Sequence, residues 1–152
     1  MNRPKILKAG IRKVTFGSNV TLVEPCNLYE CEIGDDVFVG PFVEIQKGVV
    51  IGARSRIQSH SFICEKVTIG EDCFIGHGVT FINDACRLGK VSFDAEDWES
   101  TSVGNDAIIG SNATILPVTI ASGVIVGAGT VVTKDLLEPG VYVGSPARLL
   151  RQ

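Results

Sequence analysis

The sequence predicts an all-β protein, a triangular solenoid of short strands that carries one long loop. Three observations lead there. Large apolar residues recur every six positions, and a smaller residue precedes each by two positions. The chain also holds 17 glycines in 152 residues and is only 7% aromatic, a composition that suits frequent turns between short strands.

The repeat runs through Ile33, Val39, Ile45, Ile51, Ile57, Ile63, Ile69, Ile75 and Phe81, nine positions six apart without a break. It extends backwards through Leu28, Leu22 and Phe16, and resumes at Val103, Ile109 and Ile115, then at Ile120, Val126 and Val132. The smaller partners are Cys31, Val37, Val43, Val49, Ser55, Ser61, Val67, Cys73 and Val79. A period of six matches neither an α-helix nor one amphipathic strand. It matches a short strand and a turn, repeated, with three units closing one coil of about eighteen residues. The large residue of each unit points inward and the smaller one fills the remaining interior. Glycine follows at Gly34, Gly40, Gly52, Gly70 and Gly76, where a corner has little space and an unusual backbone is expected. Stability comes from stacking, because no coil buries its apolar face alone.

Two steps are a residue short: Leu28 to Ile33, and Ile115 to Ile120 within ILPVTIAS. The second predicts a tightened corner. One step is far too long. Phe81 to Val103 spans 22 residues, so sixteen residues, about 85–100, leave the solenoid as a loop that begins just after Asn83 and Asp84. Long loops on a repeat scaffold are commonly functional.

Composition narrows the function. The net charge of −3 and a pI near 5.4 give no basic surface for nucleic acid or anionic lipid. Apolar runs are too short to span a bilayer, and the basic N-terminus lacks a signal-type apolar stretch. Five cysteines, an odd number with no CxxC pair, suit a reducing cytoplasm and neither a disulfide framework nor a zinc site. His60 and His77 are the only histidines, one short of the three that a His-ligated catalytic zinc needs, so no metal is expected.

Stacking by eighteen places Ser59, His77 and Ser111 in one column and Glu65 below Asn83 in another. A lone histidine at such a corner is more often a solvated surface residue, and Asn-Asp before a loop is often a turn former. The expectation of a site rests on co-location: His77, Asn83, Asp84 and a loop bearing Trp98 are expected on one edge of one coil.

The segments CEIGDDVFVGPFVEIQKGVVIG, RIQSHSFICEKVTIGEDCFIGHGVTFIND, a loop containing DWE, GSNATILP, VGAGTVVTKD and GSPARLL together resemble the hexapeptide-repeat acyltransferases that N-acetylate nucleotide-linked 3-amino sugars. The resemblance covers about 20–151. It implies a left-handed parallel β-helix with one protruding loop (about 85–100) and a short C-terminal extension, forming a single domain over 1–152. The loop is shorter than that group's and lacks its proline-rich run, and ILPVTIAS lacks a glycine of the usual ILPGVTIG.

The resemblance implies a cytoplasmic homotrimer whose grooves lie between subunits and join acetyl-CoA to a dTDP- or UDP-linked 3-amino sugar for surface polysaccharide. Asn83 is expected to orient the amine, and His77 to act as general base or as a binding residue. Glu65, His60, Asp84 and Trp98 are expected to meet the sugar or nucleotide. Gly110, Ser111 and Ala128 would meet the pantetheine arm through backbone groups, with Lys134 and Arg148 on the phosphates. The alternatives are an O-acetyltransferase acting on a sugar or serine hydroxyl, and a non-catalytic assembly module.

Overall fold

The computed structural model describes residues 3–152. Among the described residues, apart from one 3-10 turn at Ala95–Asp97, every regular element is a short β-strand. The strands stack in parallel into three sheets, the faces of a left-handed prism. Face A stacks Ile11–Arg12, Asn27–Tyr29, Glu44–Ile45, Phe62–Ile63, Thr80–Phe81, Thr114–Ile115 and Val131–Val132. Face B runs from Thr15–Phe16 to Thr119–Ile120, and face C from Thr21–Leu22 to Val141–Val143. Arg148–Arg151 closes face C as an antiparallel strand against Val141–Val143, which is the expected C-terminal extension. Three edges join these faces: AB, BC and CA.

The six-residue repeat is the inward register of this prism. Leu28, Ile45, Ile63, Phe81, Ile115 and Val132 are fully buried on face A, and the smaller partners from Cys31 to Val79 are buried beside them. Burying an Ile or Leu side chain contributes about 1.5–3 kcal/mol. The first coil differs. Ile11 and Phe16 occupy inward positions yet are 42% and 39% exposed, because no described coil stacks beneath them.

Ser55 and Ser61 show how an inward polar residue is tolerated. Ser55 Oγ donates to the Gly70 carbonyl at 2.8 Å and accepts from Cys73 N at 3.0 Å. Ser61 Oγ does the same with Gly76 O and Val79 N, at 2.7 and 3.3 Å. Each hydroxyl is satisfied by the next coil. Thr130 occupies the same kind of slot, fully buried, but its Oγ1 has no partner among the described residues. The next coil ends on face C at Val143 and turns back into Arg148–Arg151, so no further strand stacks above Thr130 on face A.

The glycine expectation needs one correction. Space is short as predicted: a Cβ on Gly52 would lie 2.4 Å from the Gly70 carbonyl carbon. The unusual backbone, however, lies two residues further on. Asp36, Phe42, Arg54, His60, Lys66, Asp72, Asp106 and Asn112 adopt positive φ, each third after an inward residue. The ILPVTI corner is a residue short because it lacks this left-handed residue: none of 116–119 has positive φ, and proline cannot adopt it. Val118 still turns inward and is buried, so the core continues through the shortened corner.

The loop leaves edge AB without disturbing the register. Thr68 pairs Val50 below and Ser102 above, so the sequence offset rises to 34 across the insertion while the parallel ladder is unbroken.

Candidate functional site

The candidate residues divide between the two edges of face A. His77 lies on edge CA, between Phe74–Ile75 and Thr80–Phe81, and Asn83 lies on edge AB, after Thr80–Phe81. The expected convergence of both on one edge is therefore corrected. They are six positions apart, and the strand between them crosses face A. Only Asn83, Asp84 and the loop share an edge.

Edge AB carries the groove. About 380 Å³ of open space is lined by Gln46, Cys64, Ile82, Asn83, Asp84, Cys86 and Trp98, among others. Phe62, Thr80 and Phe81 of face A lie along it, and Val91 closes it from the loop side. The reason is visible in the repeat. The position after the inward residue is glycine at most corners of edge BC, but on edge AB it holds Tyr29, Gln46, Cys64, Ile82 and Leu116. Side chains occupy this edge at the position where glycine closes most corners of the other two.

Asn83 Nδ2 donates to the backbone carbonyl of Glu65 in the coil below at 3.3 Å, so the predicted column is present. Its own carbonyl accepts from Glu99 N at 2.8 Å, which ties the far end of the loop to its start. Asn83 Oδ1 has no hydrogen-bond partner among the described residues. Asp84 organises the loop. Its Oδ1 accepts from Cys86 N and its Oδ2 from Ser92 N, both at 2.7 Å. These backbone bonds, Ser92 first, hold its carboxyl below the usual range. Trp98 also pins the loop: Nε1 donates to Ser92 O at 3.0 Å, and Lys66 Nζ donates to Trp98 O at 2.8 Å. Its ring meanwhile forms one wall of the groove. Cys64 lies in the same wall, and burial pushes its thiol up to about 12. It stays protonated near neutrality and offers no thiolate nucleophile.

Edge CA is a column of small and polar residues. His77 N donates to Ser111 Oγ at 3.2 Å, Asn112 N to His77 O at 2.8 Å, and Gly129 N to Ser111 O at 2.8 Å. Gly110, Ser111 and Ala128 continue this column above His77. His60 lies one coil below, stacked on Phe42 with ring centroids 4.8 Å apart. No hydrogen bond reaches either imidazole among the described residues. Lys134 sits two residues after inward Val132, back on edge AB, and Arg148 lies on the closing strand, where Nη1 donates to Ala147 O at 2.9 Å. Both cations are exposed; Lys134 is on a different edge from Ser111 and Ala128, whereas Arg148 pairs with Val143 at the top of face C.

Gln46 was absent from the sequence-derived site. It lines the groove and donates from Nε2 to Glu44 Oε1 at 2.9 Å. The signal that could have found it is the missing glycine at every third corner.

Two sequence profiles match the chain: the bacterial transferase hexapeptide (six repeats) over residues 30–65, and the hexapeptide repeat of succinyl-transferase over residues 66–83 and 100–134. The unmatched gap is the loop. The bifunctional protein GlmU of Clostridium acetobutylicum is 30% identical over 93% of this chain, which spans 33% of that protein. The chain therefore covers about a third of the length of these curated relatives. Among solved structures, a mutant perosamine N-acetyltransferase from Caulobacter crescentus, in complex with CoA and GDP-perosamine, matches at TM-score 0.66 and 25% identity, over 88% of this chain and 54% of that one. A mutant of AntD, an N-acyltransferase from Bacillus cereus in complex with dTDP-4-amino-4,6-dideoxyglucose and coenzyme A, matches at TM-score 0.79 and 23% identity, over 90% and 82%. With its six-residue register, parallel triangular prism and profile matches on both sides of the loop, the chain belongs to the bacterial hexapeptide-repeat transferases.

Proposed function

We propose that this protein transfers an acetyl group from acetyl-CoA to the amino group of a nucleotide-linked amino sugar. The observation that carries the reading is Asn83. Its amide nitrogen is tied to the Glu65 carbonyl, and its Oδ1, in the groove wall, has no partner among the described residues. A free carboxamide oxygen accepts an N–H and thereby orients an amine lone pair toward an electrophile. The 25% identical perosamine N-acetyltransferase, with CoA and GDP-perosamine bound, supports the same substrate classes here.

In the proposed reaction the neutral amine attacks the thioester carbonyl, the C–N bond forms, the C–S bond breaks, and the amine proton leaves with the thiol or through water. Holding amine and carbonyl about 3–3.5 Å apart supplies much of the rate. A backbone N–H at Gly110 or Ser111 is the proposed donor to the developing oxyanion. Glu65 and His60 would contact the acceptor, and Trp98 would cover its sugar or base. Lys134 and Arg148 would meet the CoA phosphates.

A groove of about 380 Å³ is near the lower limit for one ligand, and two long substrates need a second wall. We infer that a homotrimer supplies it, with edge CA of one copy facing edge AB of the next. This arrangement would bring His77 of one copy toward Asn83 of another, which a single chain does not do. An enzyme of this kind acts in the cytoplasm, where both substrates are made, and its product suits surface polysaccharide. A hydroxyl acceptor is the second reading, favoured by the exposed, unbonded His77 imidazole, since an alcohol needs a base where a neutral amine does not.

The test is release of free thiol from acetyl-CoA with a panel of dTDP-, UDP- and GDP-linked sugars carrying 3-amino, 4-amino or only hydroxyl groups. Turnover with an amino sugar supports the proposal. Turnover with hydroxy sugars alone replaces it with the second reading, and no thiol release with any acceptor removes both.

A further inference from the structure

We propose that Gln46 is a positioning residue for Asn83: it decides which end of the Asn83 carboxamide faces the acceptor. The inference rests on the proposed role of Asn83. At a six-residue corner the N–H two residues after the inward position makes no backbone hydrogen bond among the described residues. At four corners the coil above caps it with a side chain from the equivalent position, and three of these show the geometry. Asp35 Oδ1 accepts from Ser18 N at 2.6 Å, Asn105 Oδ1 from Glu71 N at 2.9 Å, and Ser111 Oγ from His77 N at 3.2 Å.

Asn83 stands above Glu65 as Asn105 stands above Glu71, yet its carboxamide is turned the other way. Asn105 presents its oxygen to the N–H below, whereas Asn83 presents its nitrogen to the carbonyl below. The difference comes from the coil beneath. Gln46 Oε1 accepts from Glu65 N at 3.3 Å, so that N–H is already capped. Beneath Glu71 the residues are Gly52 and Ala53, which carry no acceptor side chain.

The orientation of Gln46 is itself determined. Its Nε2 donates to Glu44 Oε1 at 2.9 Å, and Glu44 Oε2 accepts from Asn27 Nδ2 at 3.0 Å. An ionised carboxylate only accepts, so the Gln46 NH2 must face Glu44 and its oxygen must face Glu65. Without Gln46, the uncapped Glu65 N–H would draw in the Asn83 oxygen, as Glu71 draws in that of Asn105. The oxygen would then be lost to the amine.

Two measurements test this. Hydrogen exchange at the Glu65 amide needs no substrate. Q46M keeps the side-chain bulk and deletes both bonds. Protection is expected to persist in Q46M, because Asn83 turns to cap the amide, and to vanish in N83A/Q46M. Loss of protection in Q46M alone overturns the proposal. In the thiol-release assay, Q46M should lower kcat about tenfold with little change in acceptor KM. It should have no further effect in an N83A background, and the swap E44Q/Q46E, which rebuilds the same bonds with donor and acceptor exchanged, should restore turnover. A Q46M loss that persists in N83A means that Gln46 meets the acceptor directly, and overturns positioning. If N83A itself turns over like the parent, the role of Asn83 fails and this inference fails with it. If only N83A is impaired, positioning alone fails.

Discussion

Along edge CA the step between successive inward residues is six at every coil, from Leu22–Leu28 to Val126–Val132. Along edge AB it is five at Leu28–Ile33, six at Ile45–Ile51 and Ile63–Ile69, 22 at Phe81–Val103 and five at Ile115–Ile120. Every insertion and deletion among these coils falls on that one edge. A corner can change length without shifting the strands on either side, since each strand pairs with its equivalents above and below and not with its sequence neighbours. The regular edge stacks Ser59, His77, Ser111 and Ala128 as a uniform column, a surface suited to an extended ligand. The irregular edge lacks glycine directly after its inward residues, grows a loop and makes a groove. The contrast teaches that a repeat fold keeps its core by confining variation, and that the confined variation is where a specific acceptor would be read.

The comparison predicts unequal effects. The largest belongs to the irregular edge: Asn83→Ala should lower kcat for the proposed amino-sugar acceptor about 100-fold or more, the scale of losing one aimed hydrogen bond at a reacting centre, measured by thiol release. On the regular edge, His77→Ala should cost less than about tenfold with an amine acceptor, since general-base help of the usual 10²–10⁴-fold is not required of a neutral nucleophile. If the two losses are equal or reversed, the division of labour between edges is wrong.

A smaller effect concerns the loop. Asp84→Asn keeps one acceptor but opposes a second backbone N–H with its amide, so the acceptor KM should rise a few-fold and the fluorescence of Trp98, the only tryptophan, should shift. The carboxyl titrates below its ordinary value of about 3.9. The anchoring is therefore complete at neutral pH, starts to weaken near that value and is lost as pH falls through the folded pKa. A Trp98 transition centred near neutrality would contradict this. The smallest effect lies in the core between the edges. Thr130→Val removes a buried hydroxyl with no partner and should leave stability unchanged or raise it by about 1 kcal/mol, read from denaturant midpoints. The matching change Ser61→Ala removes a hydroxyl that holds two backbone groups, and should instead destabilise by about 1–3 kcal/mol.

Much of this molecule was readable in its repeat. Period six, the small partner two places earlier and the sixteen-residue surplus after Phe81 are local regularities, and one prism satisfies all of them. The columns of Ser59, His77 and Ser111, and of Glu65 and Asn83, followed by counting. What counting missed was the edge on which each residue falls. His77 and Asn83 are six apart and so one corner apart, and their closeness in sequence concealed that a whole strand separates them. Gln46 was missed because its partner, Glu65 N, lies nineteen residues away in the next coil.

The sequence by itself determined the inward register, the prism and the exit point of the loop, because burial imposes a strict period on which residues can be apolar. Only the tertiary structure decided how carboxamides turn and which N–H each one caps. Those choices depend on donors and acceptors delivered by neighbouring coils, and a hydrogen bond between coils leaves no period in the chain.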